Sequence, residues 1–247
     1  MGKNQESKWK SYTERYKKGG SRAKIFRDLI IQDMMELNKN SDSVVLDIGC
    51  GRGIDGDYEV QKSLSNYAKE YIGLEPDSDI QLGDFFNKEY RTILENAPIE
   101  KNYVDVAFAF MVLEHIKEPK IFLNKIYNIL KPGGVFWGYT VDARHWFALG
   151  SMLTERLNIK ETYMKLLHGE RSKDRYENYE VHYNLNKPSQ IYELTKKFSV
   201  TEILNFYQPG LIDYYFPRKL KWIGRLLDRM FHFFGIPSST IAVRIKK

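Results

Sequence analysis

The chain has 247 residues, 43% of them apolar, which is enough for a sizeable core and excludes a wholly disordered protein. Its net charge of +6 is uneven: residues 1–27 hold nine Lys/Arg against two Glu, residues 218–247 hold eight against one Asp, and the stretch between is acidic. A single cysteine, Cys50, excludes an intrachain disulfide and a thiolate zinc cluster. No apolar h-region follows Met1 and no run reaches roughly 18 uninterrupted apolar residues, so a cytoplasmic protein without a membrane span is expected.

Taken in chain order, the first elements are two helices. Trp9, Tyr12 and Tyr16 mark a short aromatic one. After Gly19-Gly20, a second carries Ile25, Phe26, Leu29, Ile30, Met34 and Leu37 at helical spacing behind Ser21, a candidate cap. Residues 1–40 are thus an N-terminal helical subregion. Val44 to Ile48 reads as a buried strand, Tyr71 to Leu74 as a second, "DIQL" as a candidate third and "YVDVAFAF" as a fourth. A helix from near Pro119 stops at Lys131-Pro132-Gly133, and "GGVFWGYT" follows as a strand. Strands alternating with helices imply a parallel sheet covered on both faces.

Residues 142–187 lose this rhythm and are too long for an ordinary loop. They are expected to form a mainly helical insertion over the carboxyl end of the sheet, where open α/β sheets bind ligands. Pro188 to Phe198 returns to helix, and residues 199–207 and 239–245 are the closing strands, an antiparallel pair. Between them, residues 217–235 place Leu220, Ile223, Leu226, Leu227, Met230, Phe231 and Phe234 among five cations. This amphipathic helix suits an anionic membrane surface, with packing on the body of the domain or against a second copy in a homodimer as the other readings.

The chemistry centres on "VVLDIGCGRG". Glycines after a strand allow a sharp turn and close approach of a ligand. Gly51, Gly53 and Gly56 give a dinucleotide-type spacing only in a shifted frame, and Asp47 and Asp55 disfavour a pyrophosphate while tolerating an ammonium or sulfonium. Glu75 follows the second strand, where a carboxylate accepts from ribose hydroxyls. Asp84 precedes Phe85-Phe86, a pattern that fits an adenine amino group and ring as well as it fits plain core packing.

"VVLDIGCGRG", "YIGLEP", "LGDFF", "YVDVAFAFMVLEHI" and "ILKPGGVFWGYT", from Val44 to Thr140, resemble the successive motifs of class I S-adenosylmethionine-dependent methyltransferases. The "GLEPD" run and "HYNLNKPSQIYEL" are similar to those of a bacterial small-molecule subgroup. The resemblance implies a Rossmann-like, doubly wound, mixed seven-stranded α/β sheet with the last strand antiparallel, and S-adenosyl-L-methionine as cofactor. By the same resemblance Asp47, Gly49 and Gly51 would hold the methionine portion, Glu75 the ribose, Asp84 and Phe85 the adenine, and Phe110 and Met111 the cofactor side of the fourth strand.

Methyl transfer needs alignment, exclusion of water and, for a hydroxyl acceptor, a base. His115, within "LEH", and His145 are the candidate catalytic residues; Tyr139, Trp146, Tyr179, His182 and Tyr183 are candidate substrate contacts. The spacings of a zinc site are absent. The expected reaction methylates a small molecule, a sugar or a lipid-linked glycan, at oxygen, with no nucleic acid partner, since no reader module is recognisable and the middle of the chain is acidic. The alternatives are a catalytically silent scaffold that binds the same cofactor, and a dehydrogenase, which the motifs after the second strand disfavour.

Overall fold

The computed structural model describes residues 3–37, 42–146, 148, 150, 180–208, 210, 213, 216–235 and 237–247. Two helices, α1 (Lys3–Lys17) and α2 (Arg22–Leu37), precede strand β1 (Ser43–Ile48). A short helix α3 (Tyr58–Lys62) leads through a 3-10 turn to β2 (Ala68–Leu74), and β3 (Lys88–Tyr90) follows without an intervening helix. Then come β4 (Val104–Phe110), α4 (Pro119–Ile129), β5 (Leu130–Val141), α5 (Pro188–Leu194), β6 (Val200–Phe206), α6 (Lys221–Phe233) and β7 (Thr240–Lys246).

The strands make one seven-stranded sheet of order β3-β2-β1-β4-β5-β7-β6. Neighbours run parallel from β3 to β5, and β7 runs antiparallel to both β5 and β6. This is the Rossmann-like arrangement the motif order implies. The long apolar runs of β1 and β4 are buried on both faces, as central parallel strands must be. Val45, Val106, Phe108 and Trp137 point to α1 and α2, where Trp9, Phe26 and Leu29 meet them. Leu46, Ile72, Ala107 and Phe136 point the other way, onto Phe122 and Ile126 of α4 and Ile191 of α5.

One charged cluster lies within the first layer. Arg244 of β7 stands in register with Trp137 on one side and Glu202 on the other. Its guanidinium gives two 2.7 Å bonds to Asp33 of α2 and one of 2.8 Å to Glu202. Trp137 Nε1 also donates to Asp33, at 2.6 Å, and the Trp9 ring lies 5.6 Å from the guanidinium. Asp33 is only 1% exposed, so α2 is fastened to the sheet by a desolvated, fully bonded ion pair.

Three expectations change. Residues 79–82 are not a strand; the third strand is Lys88–Tyr90, pairing with Ile72–Leu74 at the sheet edge. The helix at Pro188 ends at Leu194 rather than Phe198, and α4 stops at Ile129, so that Pro132-Gly133 lie within β5 at a register shift. Most of the expected helical insertion, including residues 151–179, lies outside the described residues.

Candidate functional site

The bend after β1 is tied to the end of β2. Gly49 and Cys50 N–H both donate to the Leu74 carbonyl, at 2.8 and 3.2 Å. Glu75 comes next, 5% exposed, with Oε2 accepting the Gly51 N–H and Oε1 the Asp77 N–H, each at 3.0 Å. A Cβ on Gly51 would lie 2.6 Å from Glu75 Oε2, so only glycine lets the carboxylate come this close. Tyr58 OH donates to the Gly51 carbonyl, and an open depression of about 410 Å³ beside it is lined by Arg52, Gly56, Tyr58, Asp79, Ile80 and Gln81.

Asp47 lies beneath the bend. Its carboxylate accepts from Gln61 Nε2 at 2.8 Å and Tyr71 OH at 3.0 Å, and Gln61 Nε2 also bonds the Cys50 carbonyl at 2.7 Å. The aspartate therefore braces the bend through α3. Burial, with Glu75 as a like charge, pushes its pKa up to about 7. Burial also pushes the Cys50 thiol up, which removes it as a thiolate nucleophile.

Arg22, at the start of α2, is paired with Asp55, Nε to Oδ2 at 2.6 Å, and its guanidinium lies 5.8 Å from the Phe110 ring. Phe110 in turn stacks on Tyr139 with centroids 5.0 Å apart. Met111 adopts φ +56, with its N–H donating to the Tyr139 carbonyl at 2.7 Å. A left-handed methionine at the end of a central strand is a strained feature of the kind found at ligand sites. In sequence Arg22 counts only as one more N-terminal cation; the acidic cluster around Asp55 is the signal that could have exposed the pair.

Asp84 is exposed, and the Phe85 and Phe86 rings pack on Tyr71, at 6.0 and 4.7 Å. Both phenylalanines are half-buried and pack against the core beside β2. Tyr139 is fully buried, its hydroxyl bonded to Thr240 Oγ1 at 3.0 Å, and it forms part of the core rather than a wall open to substrate.

A second cluster follows β4. The Glu114 carboxylate accepts the Thr140 hydroxyl at 2.6 Å, and burial raises its pKa. The Glu114 carbonyl accepts the backbone N–H groups of His182 and Tyr183, at 2.8 and 3.1 Å. Asn186 Nδ2 donates to Thr140 Oγ1 at 2.7 Å. The segment from Glu180 to Asn186 is therefore laid as a strap across the turn that carries His115. His115 Nδ1 is 3.0 Å from the Glu180 carbonyl, and since a carbonyl only accepts, Nδ1 is the donor of that bond.

His115, His182 and Tyr183 thus come together. His145 and Trp146 do not join them: Trp146 Nε1 donates to Asp228 of α6 at 3.1 Å, and His145 Nε2 is 3.5 Å from the same carboxylate. Tyr179 lies outside the described residues. Among the described residues no cluster of three metal-ligating side chains occurs.

The model of a methyltransferase domain family matches residues 21–203. The tRNA U34 carboxymethyltransferase of Pseudoalteromonas atlantica is 37% identical over 99 residues, 36% of this chain and 29% of the relative. The ubiquinone biosynthesis O-methyltransferase of Nitrobacter winogradskyi is 30% identical over 121 residues, 45% of this chain and 44% of the relative. The chain therefore spans less than half the length of these curated relatives. A solved S-adenosylmethionine-dependent methyltransferase of Thermotoga maritima superposes with a TM-score of 0.54 at 16% identity, covering 99% of this chain and 95% of that one, and so shares its fold. The expectation that nucleic acid plays no part is overturned by relatives whose very name specifies tRNA: an acidic middle and the lack of a separate reader module do not exclude an RNA acceptor. With a family model covering most of its length, a matching sheet and the glycine bend facing Glu75, the chain belongs to the methyltransferase domain family, enzymes whose methyl donor is S-adenosylmethionine.

Proposed function

We propose that this chain methylates a hydroxyl acceptor carried by a small molecule, a sugar or a lipid-linked glycan. The observation that supports it most is Glu75 turned onto Gly51, a carboxylate held beside a bend that has no side chain to obstruct an adenosine. In this reading Glu75 accepts from the ribose hydroxyls, Gly49 and Gly51 allow the methionine portion to approach, and Arg22 offers its carboxylate a cation. Asp47 acts from below, through Gln61, by holding the bend in shape. Phe110 and Met111 border the cofactor, and Asp84 accepts from the adenine amino group.

Bound S-adenosylmethionine supplies a methyl group already activated by the sulfonium. The residues of the chain have to position the acceptor, keep water out and take up one proton. His115 Nε2 receives the hydroxyl proton as the oxygen–carbon bond forms and the carbon–sulfur bond breaks. The strap carrying His182 and Tyr183 fixes the His115 tautomer through Glu180 and walls the acceptor side.

An RNA acceptor is the second reading, supported by the tRNA-directed relatives. Radiolabelled methyl transfer to three fractions of a cell extract, namely polar small molecules, lipids and RNA, separates them. Label in either of the first two supports the leading reading; label confined to RNA replaces it with the second.

A further inference from the structure

Helix α6 has two apolar faces, and among the described residues only one is packed. Gly224 and Asp228 are buried, with Ile223, Leu227 and Phe231 half-buried beside them, so this side rests on the domain. Gly224 makes the approach possible: a Cβ there would lie 3.1 Å from the Phe216 ring. Trp222, Leu226, Met230 and Phe233 recur at helical spacing on the opposite side. Trp222 is 63% exposed, Leu226 56% and Phe233 84%, and Phe234 extends the patch. The sequence pattern groups Leu226 and Met230 with Leu227 and Phe231 on a single stripe; the structure parts them between the two faces.

The charges are divided in the same way. The acid of this segment, Asp228, is turned inward and bonded to Trp146. Arg218, Lys219 and Lys221 stand at the start of the helix and Arg229 beside the outward stripe, and none of these four forms an ion pair among the described residues. Arg225 is paired with Asp213. The outward surface is therefore apolar along its middle, cationic along its border and free of carboxylates on the helix itself.

We propose that this face of α6 seats on an anionic lipid surface, with Trp222, Leu226, Met230 and Phe233 entering the headgroup boundary and Lys219, Lys221 and Arg229 meeting lipid phosphates. Charge complementarity and the order of the residues select this partner. RNA binding puts cations foremost and stacks bases on rings, yet here the cations stand at the border while aliphatic Leu226 and Met230 fill the middle between the rings. A second copy of the chain would bring the same cationic border against itself. No described helix is long and apolar enough to cross a membrane, so the contact is interfacial, with the helix axis in the plane of the surface.

The test is flotation of the full chain with vesicles of phosphatidylcholine alone and of phosphatidylcholine with phosphatidylglycerol. The chain should float with the mixed vesicles, more weakly with the neutral ones, and less as salt rises. W222S/L226S should weaken binding at least tenfold while leaving the melting temperature in place, because both side chains are outside the core. K219Q/R229Q should remove the preference for anionic lipid. The proposal is overturned by absence of flotation with both vesicles, or by W222S/L226S floating like the unaltered chain. It is equally overturned if these substitutions instead abolish self-association, or if K219Q/R229Q abolishes a gel shift with RNA in a chain that does not float. None of these readouts depends on methyl transfer.

Discussion

Replacing Asp33 by Asn tests how the N-terminal layer is held on the sheet. Asp33 receives two bonds from Arg244 and one from Trp137 while 1% exposed. The amide keeps one acceptor oxygen and turns two donors toward a guanidinium, leaving Arg244 in a buried setting with Glu202 as its remaining carboxylate. Breaking one partner of a buried pair costs about 3–5 kcal/mol. For a chain of this size that is a fall in melting temperature of roughly 6–20 °C, since each kcal/mol is worth about 2–4 °C. Differential scanning calorimetry measures it, and the loss should persist in high salt because a buried pair is poorly screened. A D33N protein melting within about 2 °C of the unaltered chain, less than 1 kcal/mol, would refute the argument that this cluster fastens α2, and with it Arg22, to the site.

Further outcomes follow from the site. Asp47, pushed up to about 7 from its ordinary 3.8, favours the folded state in its neutral form; that stabilisation is complete below 3.8 and is lost as pH rises through about 7. D47N should therefore flatten the decline of melting temperature across that window, though not abolish it, because Glu114 is shifted in the same direction; parallel curves for the two proteins would contradict the assignment. G51A, which sets a Cβ 2.6 Å from the Glu75 carboxylate, should weaken binding of S-adenosylhomocysteine at least tenfold with the fold retained, as seen by circular dichroism and titration calorimetry. H115A should leave that binding unchanged and lower turnover by about 10²–10⁴, the usual contribution of a general base; equal turnover would remove His115 from the mechanism.

What could be read from the residues follows their physics. β1 and β4 are mostly apolar, broken by Asp47 and Asp105, because parallel central strands are buried on both sides, and the glycine bend with Glu75 stands out because its residue types are demanding. β3 did not: Lys88-Glu89-Tyr90 is a three-residue edge strand, solvated enough to carry charges, so no alternation marks it. Asp33 and Arg244 lie 211 positions apart, and only the sheet register brings them together. Arg22 and Asp55 meet for the same reason, by folding rather than by spacing. The periodicity of α6 was plain, but which of two apolar arcs faces the domain depends on Gly224 and Asp228, whose small size and buried bond have no periodic signature. Charge and the lack of a reader module are a poor guide to an RNA acceptor, since relatives named for tRNA match this chain.

The most direct measurement is titration calorimetry of the full chain with S-adenosylhomocysteine and with NAD, repeated on E75A. The account predicts that S-adenosylhomocysteine binds and NAD does not, and that E75A loses at least tenfold in affinity while remaining folded. Silence toward S-adenosylhomocysteine at millimolar concentration, binding of NAD in its place, or an E75A protein that binds as well as the original would contradict it.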